Sequence, residues 1–189
     1  MSLSSDFKNS PQVWIMTHTY LVIQGNNPSG PAFTTGTASF RFEDANTGPG
    51  TCFLRKAGLL DFDCFKAFLL TAAPNSDNSF ALPNDVDLFL TADMHGCQFF
   101  AYGADRNHLT VEHNNYITTP ASYGVRHGVV TGGVHATTIA LRPVTAPQPA
   151  ADEYNFALGA NVVGLRKDDG WHFFVRTSTT QAYGGTREL

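Results

Sequence analysis

The chain has 189 residues, of which 42% are hydrophobic and only 15% are charged, and its net charge is −4. A chain this apolar, with 15 phenylalanines, is not disordered, because disordered chains lack the apolar side chains that a core needs. The chain has no excess of basic residues to neutralise phosphates, so we do not expect nucleic acid to be its main ligand. No apolar run reaches the ~20 residues that a membrane span requires.

The length suits one domain. We expect a flexible arm over residues 1–12, which lacks the pattern of a secretory signal peptide, and a single domain over residues 13–189. The cysteines are three in number and form no CxxC pair. This count predicts three free thiols rather than a disulfide framework or a zinc site, with a Cys52–Cys64 disulfide as the alternative.

Apolar, β-branched runs separated by turn formers predict about nine strands and one or two helices. Strands are expected at residues 13–23, 36–42, 51–57, 86–94, 96–103, 108–113, 134–141, 155–167 and 170–179. Residues 59–70 have apolar side chains at a spacing that favours a helix. Loops are expected at 72–85, at the Gly-rich 118–134 and at the Pro-rich 142–150. The predicted fold class is α+β, with a β-sandwich core of mixed or antiparallel strands flanked by helices and long loops.

One predicted hairpin brings a thiol and an imidazole together. Cys97 follows Gly96 at the start of one strand, turn formers occupy residues 104–107, and His113 ends the returning strand. A turn at 104–107 folds residue 97 back opposite about residue 113, so the two side chains meet across the ladder. An imidazolium lowers the pKa of a thiol, and the imidazole carries the proton to the leaving group. The hairpin therefore predicts a nucleophilic cysteine.

Two other interpretations of Cys97 remain open. A lone cysteine in an apolar strand is commonly a core residue, because cysteine is among the most buried residue types. A metal cluster is the other alternative, although its spacing matches no tight signature. That cluster would consist of His95, Cys97, His108 and His113.

The same segment resembles a known active-site signature. Thr91, the run Met94–Cys97 (MHGC), a strand, a turn and His113 are similar to the motif of the cytotoxic necrotizing factor family of glutamine deamidase toxins, especially its small single-domain lethal-factor branch. In that branch a Thr precedes the Cys by six residues, as Thr91 precedes Cys97 here. The family motif reads Leu-Ser-Gly-Cys, so Met-His replaces Leu-Ser, and the Cys-to-His gap differs by a few residues. The resemblance covers about 25 residues of the chain.

The resemblance implies a role for each matching residue. Cys97 is the nucleophile that attacks the side-chain amide of a glutamine, His113 is the general base and acid, and Thr91 orients His113. Gly96 and His95 lie in the vicinity of the substrate and the oxyanion, where backbone N–H groups stabilise the negative charge. Hydrolysis of the thioester leaves a glutamate. The reaction needs no metal and no organic cofactor.

The resemblance also implies a biological setting. It is that of a bacterial toxin or effector, secreted or injected, acting in the host cytosol. The partner is a host protein that bears the target glutamine, of the regulatory GTPase or translation-factor class. We expect a monomer that binds no nucleic acid and has no membrane span. Competing hypotheses are a transglutaminase or thiol protease that uses the same pair, and a non-catalytic β-sandwich binding module.

Substrate specificity is expected to come from the loops. The candidate loops are rich in Gly, Pro, Asn and Ser and lie at residues 24–35, 73–85, 114–134 and 142–153. Three aromatic side chains, of Tyr116, Tyr123 and Trp171, are candidates to line the site, with core packing as the alternative for each.

Overall fold

A computed structural model describes most of the chain. The described residues are 3–17, 20–22, 33–44, 51–72, 75–115, 121–145, 149–177 and 185–189. In chain order their helices and strands are α1 (Leu3–Asn9), α2 (Pro11–Thr17), β1 (Tyr20–Val22), β2 (Gly36–Asp44), β3 (Thr51–Lys56), β4 (Phe65–Leu70), β5 (Ser76–Ala81), β6 (Leu88–Thr91), β7 (Gln98–Asp105), β8 (His108–Asn115), α3 (Ala121–Thr131), β9 (Thr137–Val144), β10 (Glu153–Asn155), β11 (Ala160–Lys167), β12 (Gly170–Thr177) and β13 (Gly185–Glu188).

The strands form two mixed sheets that pack face to face. The large sheet has the order β1-β3-β2-β4-β6-β11-β12-β13, and the small sheet has the order β10-β9-β7-β8-β5. Most neighbours are antiparallel, while β1 with β3, β4 with β6 and β9 with β10 run parallel. The predicted α+β class with a β-sandwich core is therefore confirmed. None of the described helices is long and apolar enough to cross a membrane.

The main core lies between the two sheets and is built from aromatic rings. Phe89 of β6, Phe99 of β7 and Phe173 of β12 form a triangle with ring centroids 5.4–5.7 Å apart. All three side chains are buried. Such tilted and edge-on pairs are the favoured geometry of aromatic rings, and they join strands of both sheets into one unit.

A second core covers the outer face of the large sheet. Phe7 of α1 and Trp14 of α2 pack on Phe42 of β2, with Phe7 edge-on at 5.0 Å and Trp14 stacked at 4.6 Å. The prediction of a flexible arm over residues 1–12 is therefore wrong for the described residues, because burial of Phe7 holds α1 on the sheet.

The strand predicted over residues 13–23 is also largely wrong. Residues 11–17 form α2, and among the described residues of this range Tyr20–Val22 alone form a strand. Ser10 accepts the first helical hydrogen bond, from the N–H of Trp14, and Pro11 follows it. A serine before the first turn and a proline at its start are helix-initiating signals, and they override the β-propensity of the apolar run.

The helix favoured at residues 59–70 is a turn followed by strand β4. This strand lies between β2 and β6, and both of its faces are buried near its end. A strand buried on both sides reads as a continuous apolar run, which periodicity cannot distinguish from a buried helix. Two further elements, β5 and α3, occupy segments predicted to be loops, whereas the other predicted strands are present with shifted ends.

Helix α3 covers the outer face of the small sheet through an ion pair. Arg126 of α3 donates to the fully buried carboxylate of Glu112 on β8, with Nε 2.7 Å from Oε1. Tyr102 of β7 donates to the same carboxylate at 3.1 Å. A buried charge needs such partners, so this contact fixes a helix whose glycines disfavour it.

Truncation of Phe7 tests whether α1 is part of the fold. Phe7→Ala should lower the free energy of unfolding by about 3–5 kcal/mol, because it empties a fully buried site. Phe62→Ala is the matched control, since this ring is 94% exposed and its loss should cost no more than about 0.5 kcal/mol. Urea unfolding measures both variants. Equal effects of the two substitutions would mean that the N-terminal segment does not pack on the sheet.

Candidate active site

The candidate site lies where the chain crosses from one sheet to the other. Strand β6 of the large sheet ends at Thr91, β7 of the small sheet begins at Gln98, and residues 92–97 connect them. The connection is fixed by two backbone hydrogen bonds between Met94 and Ala160, of 2.8 and 2.9 Å. Gly96 has a φ of +86°, a value that favours glycine, so the sharp turn expected before Cys97 is present.

The three predicted catalytic residues all face the space between the sheets. Because strand side chains alternate, Thr91 lies on the same face of β6 as the core residue Phe89. Cys97 is itself part of that core, and His113 shares its face of β8 with Val111. All three are buried, with Thr91 and His113 fully enclosed and Cys97 3% exposed.

The hairpin register differs from the predicted one by two residues. His113 pairs with Phe99 rather than with Cys97, and the shift between Gly103 and Asp105 reduces an offset that the turn alone would make one residue larger. Asp105 accepts hydrogen bonds from the N–H groups of Asn107 in the turn and of His108 after it, and this turn at residues 106–107 is tighter than the predicted one over 104–107. Cys97 and His113 are therefore diagonal neighbours on one face, at a typical separation of about 7–8 Å between backbones.

The imidazole of His113 lacks the partners that a buried ring usually has. Neither Nδ1 nor Nε2 makes a hydrogen bond of normal geometry to a described residue, and the contact of the ring with the backbone of Leu70 falls short of one. Burial lowers the pKa of His113 to about 4, and the backbone of Leu70 opposes this shift only in part. Leu70 is the register partner of Thr91. The ring is thus neutral at physiological pH and lies toward the end of β6.

The thiol of Cys97 is protonated in this structure. Burial is the main reason that the pKa of Cys97 is raised to about 12, and the negative charge of Asp93 adds to the effect. The backbone N–H of His95 acts in the opposite direction. The expected lowering of the thiol pKa by an imidazolium is therefore absent, because His113 is neutral and is not hydrogen-bonded to the sulfur.

The hydroxyl of Thr91 hydrogen-bonds within the large sheet and not to His113. Its Oγ1 accepts a hydrogen bond of 2.8 Å from the N–H of Val162 on β11. Since neither ring nitrogen of His113 has a described partner, Thr91 does not orient the imidazole in this structure.

His95 is held on the other side of the connection. Its Nε2 lies 2.8 Å from Oδ2 of Asp93, and its ring rests on the Cα of Gly159. Burial raises the pKa of Asp93, and His95 offsets part of that shift. Together with Gly96, His95 lines a mainly apolar cavity of about 420 Å³. The two residues expected near the substrate thus lie on the wall of a cavity, and Cys97 follows them in the chain without lining it.

Two tyrosines, only one of them considered from the sequence, fix the backbone around the thiol. Tyr123 of α3 donates to the carbonyl of Gly96 and also lines the cavity. Tyr154 of β10 is buried and donates to the carbonyl of Cys97 at 2.7 Å. The sequence around Tyr154 contains no motif from which its contact with Cys97 could have been predicted. Trp171 is a core residue, and Tyr116 lies outside the described residues.

Asn115 was also missed. Continuing the ladder from the Gln98–Asn114 pair places Asn115 opposite Cys97, on the same inner face as His113. Its side chain is buried, and Oδ1 has no partner among the described residues. The correct hairpin register would have identified it.

The alternative metal cluster is not assembled. His108 stands exposed at the tip of the hairpin and contacts Asp105, away from His113. Across the described ranges, no group of three or more His, Cys, Asp or Glu side chains is arranged to hold a metal ion. Two of the four candidate specificity segments border the cavity, 114–134 through Tyr123 and 142–153 through residues 143–145.

Comparisons with known proteins add no family assignment. No protein-family model matches the chain, and a search of curated proteins finds no match.

The buried imidazole makes stability depend on pH. An unfolded His113 binds a proton near pH 6.5, whereas the folded one does so only near pH 4. Between these values the unfolded chain binds more protons, so the free energy of unfolding falls as the pH falls. The shift corresponds to about 3 kcal/mol. Urea unfolding between pH 7 and pH 4 should show this loss in the wild type and not in His113→Asn.

The control for this measurement is His135→Gln, because His135 is exposed at the surface. This variant should lose as much stability with acid as the wild type does. An identical pH dependence of His113→Asn and the wild type would contradict the burial of a neutral His113.

Proposed function

We propose that the protein is a cysteine-dependent protein glutamine deamidase, with Cys97 as nucleophile and His113 as general base and acid. The observation that carries this proposal is the fully buried His113, whose ring nitrogens make no hydrogen bond of normal geometry to a described residue, diagonal to a buried thiol. An unsatisfied buried polar group costs about 1–3 kcal/mol, so each such group in a folded protein calls for an explanation. A role in proton transfer is that explanation.

The environment of the pair indicates general-base catalysis without a preformed ion pair. Cys97 is protonated and His113 is neutral, because burial disfavours the charged form of both. The imidazole takes the thiol proton as the sulfur attacks the amide carbon of the substrate, and it then gives that proton to the departing ammonia. A rearrangement that brings the diagonal neighbours into contact on substrate binding completes the pair.

The oxyanion of this reaction has candidate donors in the connection. No backbone carbonyl among the described residues accepts a hydrogen bond from the N–H of Gly96 or of Cys97. The two tyrosine contacts hold the carbonyls of the same two residues. Backbone N–H groups fixed in advance stabilise a developing oxyanion strongly.

The substrate class follows from the resemblance at Thr91, the run Met94–Cys97 and His113. We propose a host protein that bears the target glutamine, of the regulatory GTPase or translation-factor class, and a toxin or effector that reaches the host cytosol by secretion or injection. The apolar cavity beside Gly96 supports a substrate that inserts a side chain there. A transglutaminase would share the acyl-enzyme and differ only in its acceptor.

A non-catalytic binding module is the second candidate. The observation that favours it is the burial of the thiol in the core, which raises the pKa of Cys97 to about 12. In that case Cys97 is a core residue and His113 serves only packing.

Peptide mass spectrometry of a eukaryotic cell lysate treated with the protein tests the proposal. Specific glutamines should become glutamates, and Cys97→Ser should lower the rate about 10⁴-fold or more, because the nucleophile is lost. Cys64→Ser is the matched control and should convert glutamines at the wild-type rate. Cross-linked or cleaved products that depend on Cys97 would replace the deamidase by a transglutaminase or protease. The lack of any Cys97-dependent product would favour the binding module.

A further inference from the structure

His95 is arranged as an oriented base. A carboxylate only accepts hydrogen bonds, so in the neutral ring the nitrogen that faces Asp93, Nε2, carries the proton. Nδ1 then keeps its lone pair. The contact with Gly159 holds the plane of the ring. A carboxylate that fixes the tautomer and orientation of an imidazole is the arrangement that supports general-base catalysis.

The two histidines near Cys97 differ in their access to water. His113 is fully enclosed between the sheets, whereas the His95 side chain is 55% exposed. Among the histidines that the structure describes, His95 is the one that lines the cavity beside Gly96. An ideal Cβ at Gly96 would meet no atom within 4 Å, so the space above this residue is open. Water that enters from the cavity therefore meets His95 first.

We propose that His95, oriented by Asp93, is the base that activates the water for hydrolysis of the acyl-enzyme at Cys97. This inference rests on the proposed function and adds a division of labour to it. His113 serves the buried thiol during acylation, and His95 serves the water during deacylation. The family motif has a serine where this chain has His95, directly before the glycine. A base at this position is therefore a feature of this chain and not of the motif.

Hydrolysis of the acyl-enzyme begins with a proton transfer from water to His95. Nδ1 of His95 takes a proton from water as the water oxygen forms a bond to the thioester carbon. The carbon–sulfur bond then breaks, and the carboxylic acid leaves. The proton on His95 returns to the thiolate of Cys97, which regenerates both groups. No metal, redox agent or further reactant takes part.

The hydrolysis of p-nitrophenyl acetate separates the two steps without a protein target. Acetylation of Cys97 releases p-nitrophenolate as a burst, and deacetylation sets the later steady rate. In His95→Asn the burst should persist while the steady rate falls about 100-fold, the usual contribution of a general base. Intact-protein mass spectrometry should then show accumulated acetyl-Cys97. His113→Asn should instead lose the burst, and His108→Asn, at the exposed hairpin tip, should match the wild type.

The outcomes distinguish a failure of Cys97 as the nucleophile from a failure of His95 as the base for deacylation. A wild type without a burst above that of Cys97→Ala would overturn the proposed nucleophile, and this inference with it. A wild-type burst combined with normal turnover in His95→Asn would overturn the role of His95 alone. Loss of the burst in His95→Asn would also overturn it, since His95 would then act before the acyl-enzyme forms.

A second pair of variants displaces His95 without removing it. A Cβ at Gly159 would lie 2.7 Å from the ring of His95, so Gly159→Ala should slow deacetylation as His95→Asn does. Gly36→Ala is the matched control, because Gly36 also has a positive φ but no atom within 4 Å of the added carbon. Equal steady rates in both variants would contradict a base held at this position.

Discussion

The crossover from the large sheet to the small sheet is the constraint on which the rest of the site depends. Residues 92–97 must carry the chain across the sandwich, and the paired hydrogen bonds between Met94 and Ala160 fix where they do so. The left-handed backbone at Gly96 then turns Cys97 into the core. The same turn leaves His95 on the outer side, at the cavity. One short connection thus separates a buried thiol from a solvent-facing imidazole.

The interior face of this crossover is polar where a sandwich core is usually apolar. His113 and Asn115 contribute buried atoms without described partners, beside a thiol that burial keeps protonated. Such groups weaken the fold, and proteins tend to keep them where chemistry requires them. Low polarity also favours a neutral thiol and a neutral imidazole over an ion pair. The candidate chemistry is therefore one in which the proton moves only as the substrate reacts.

The sequence predicted the sandwich well where alternation and turn formers agree, as in the hairpin of β7 and β8. It failed where tertiary contacts override local pattern: Phe7 and Trp14 fold an expected arm and strand into helices on the large sheet. Thr91 and the run Met94–Cys97 could be predicted as site residues, because they lie close together in the sequence and match a motif. Tyr154 and Asn115 were not, since they depend on the sheet order and on a register that a tight turn shifts by two residues. The partner of His95, Asp93, was visible two positions away, but only the structure shows the ring between this carboxylate and Gly159.

We propose that Cys97 and His113 act together as a buried nucleophile and base, and that the substrate reaches them from the cavity beside Gly96. A peptide that carries a diazoketone in place of the glutamine amide tests this most directly. A thiol placed to attack the amide carbon instead bonds to the neighbouring diazomethyl carbon, which takes up the thiol proton and loses dinitrogen. We expect labelling at Cys97 that is lost in His113→Asn, with Cys64 unlabelled in both proteins. Labelling at Cys64 alone, or equal labelling of Cys97 with and without His113, would contradict it.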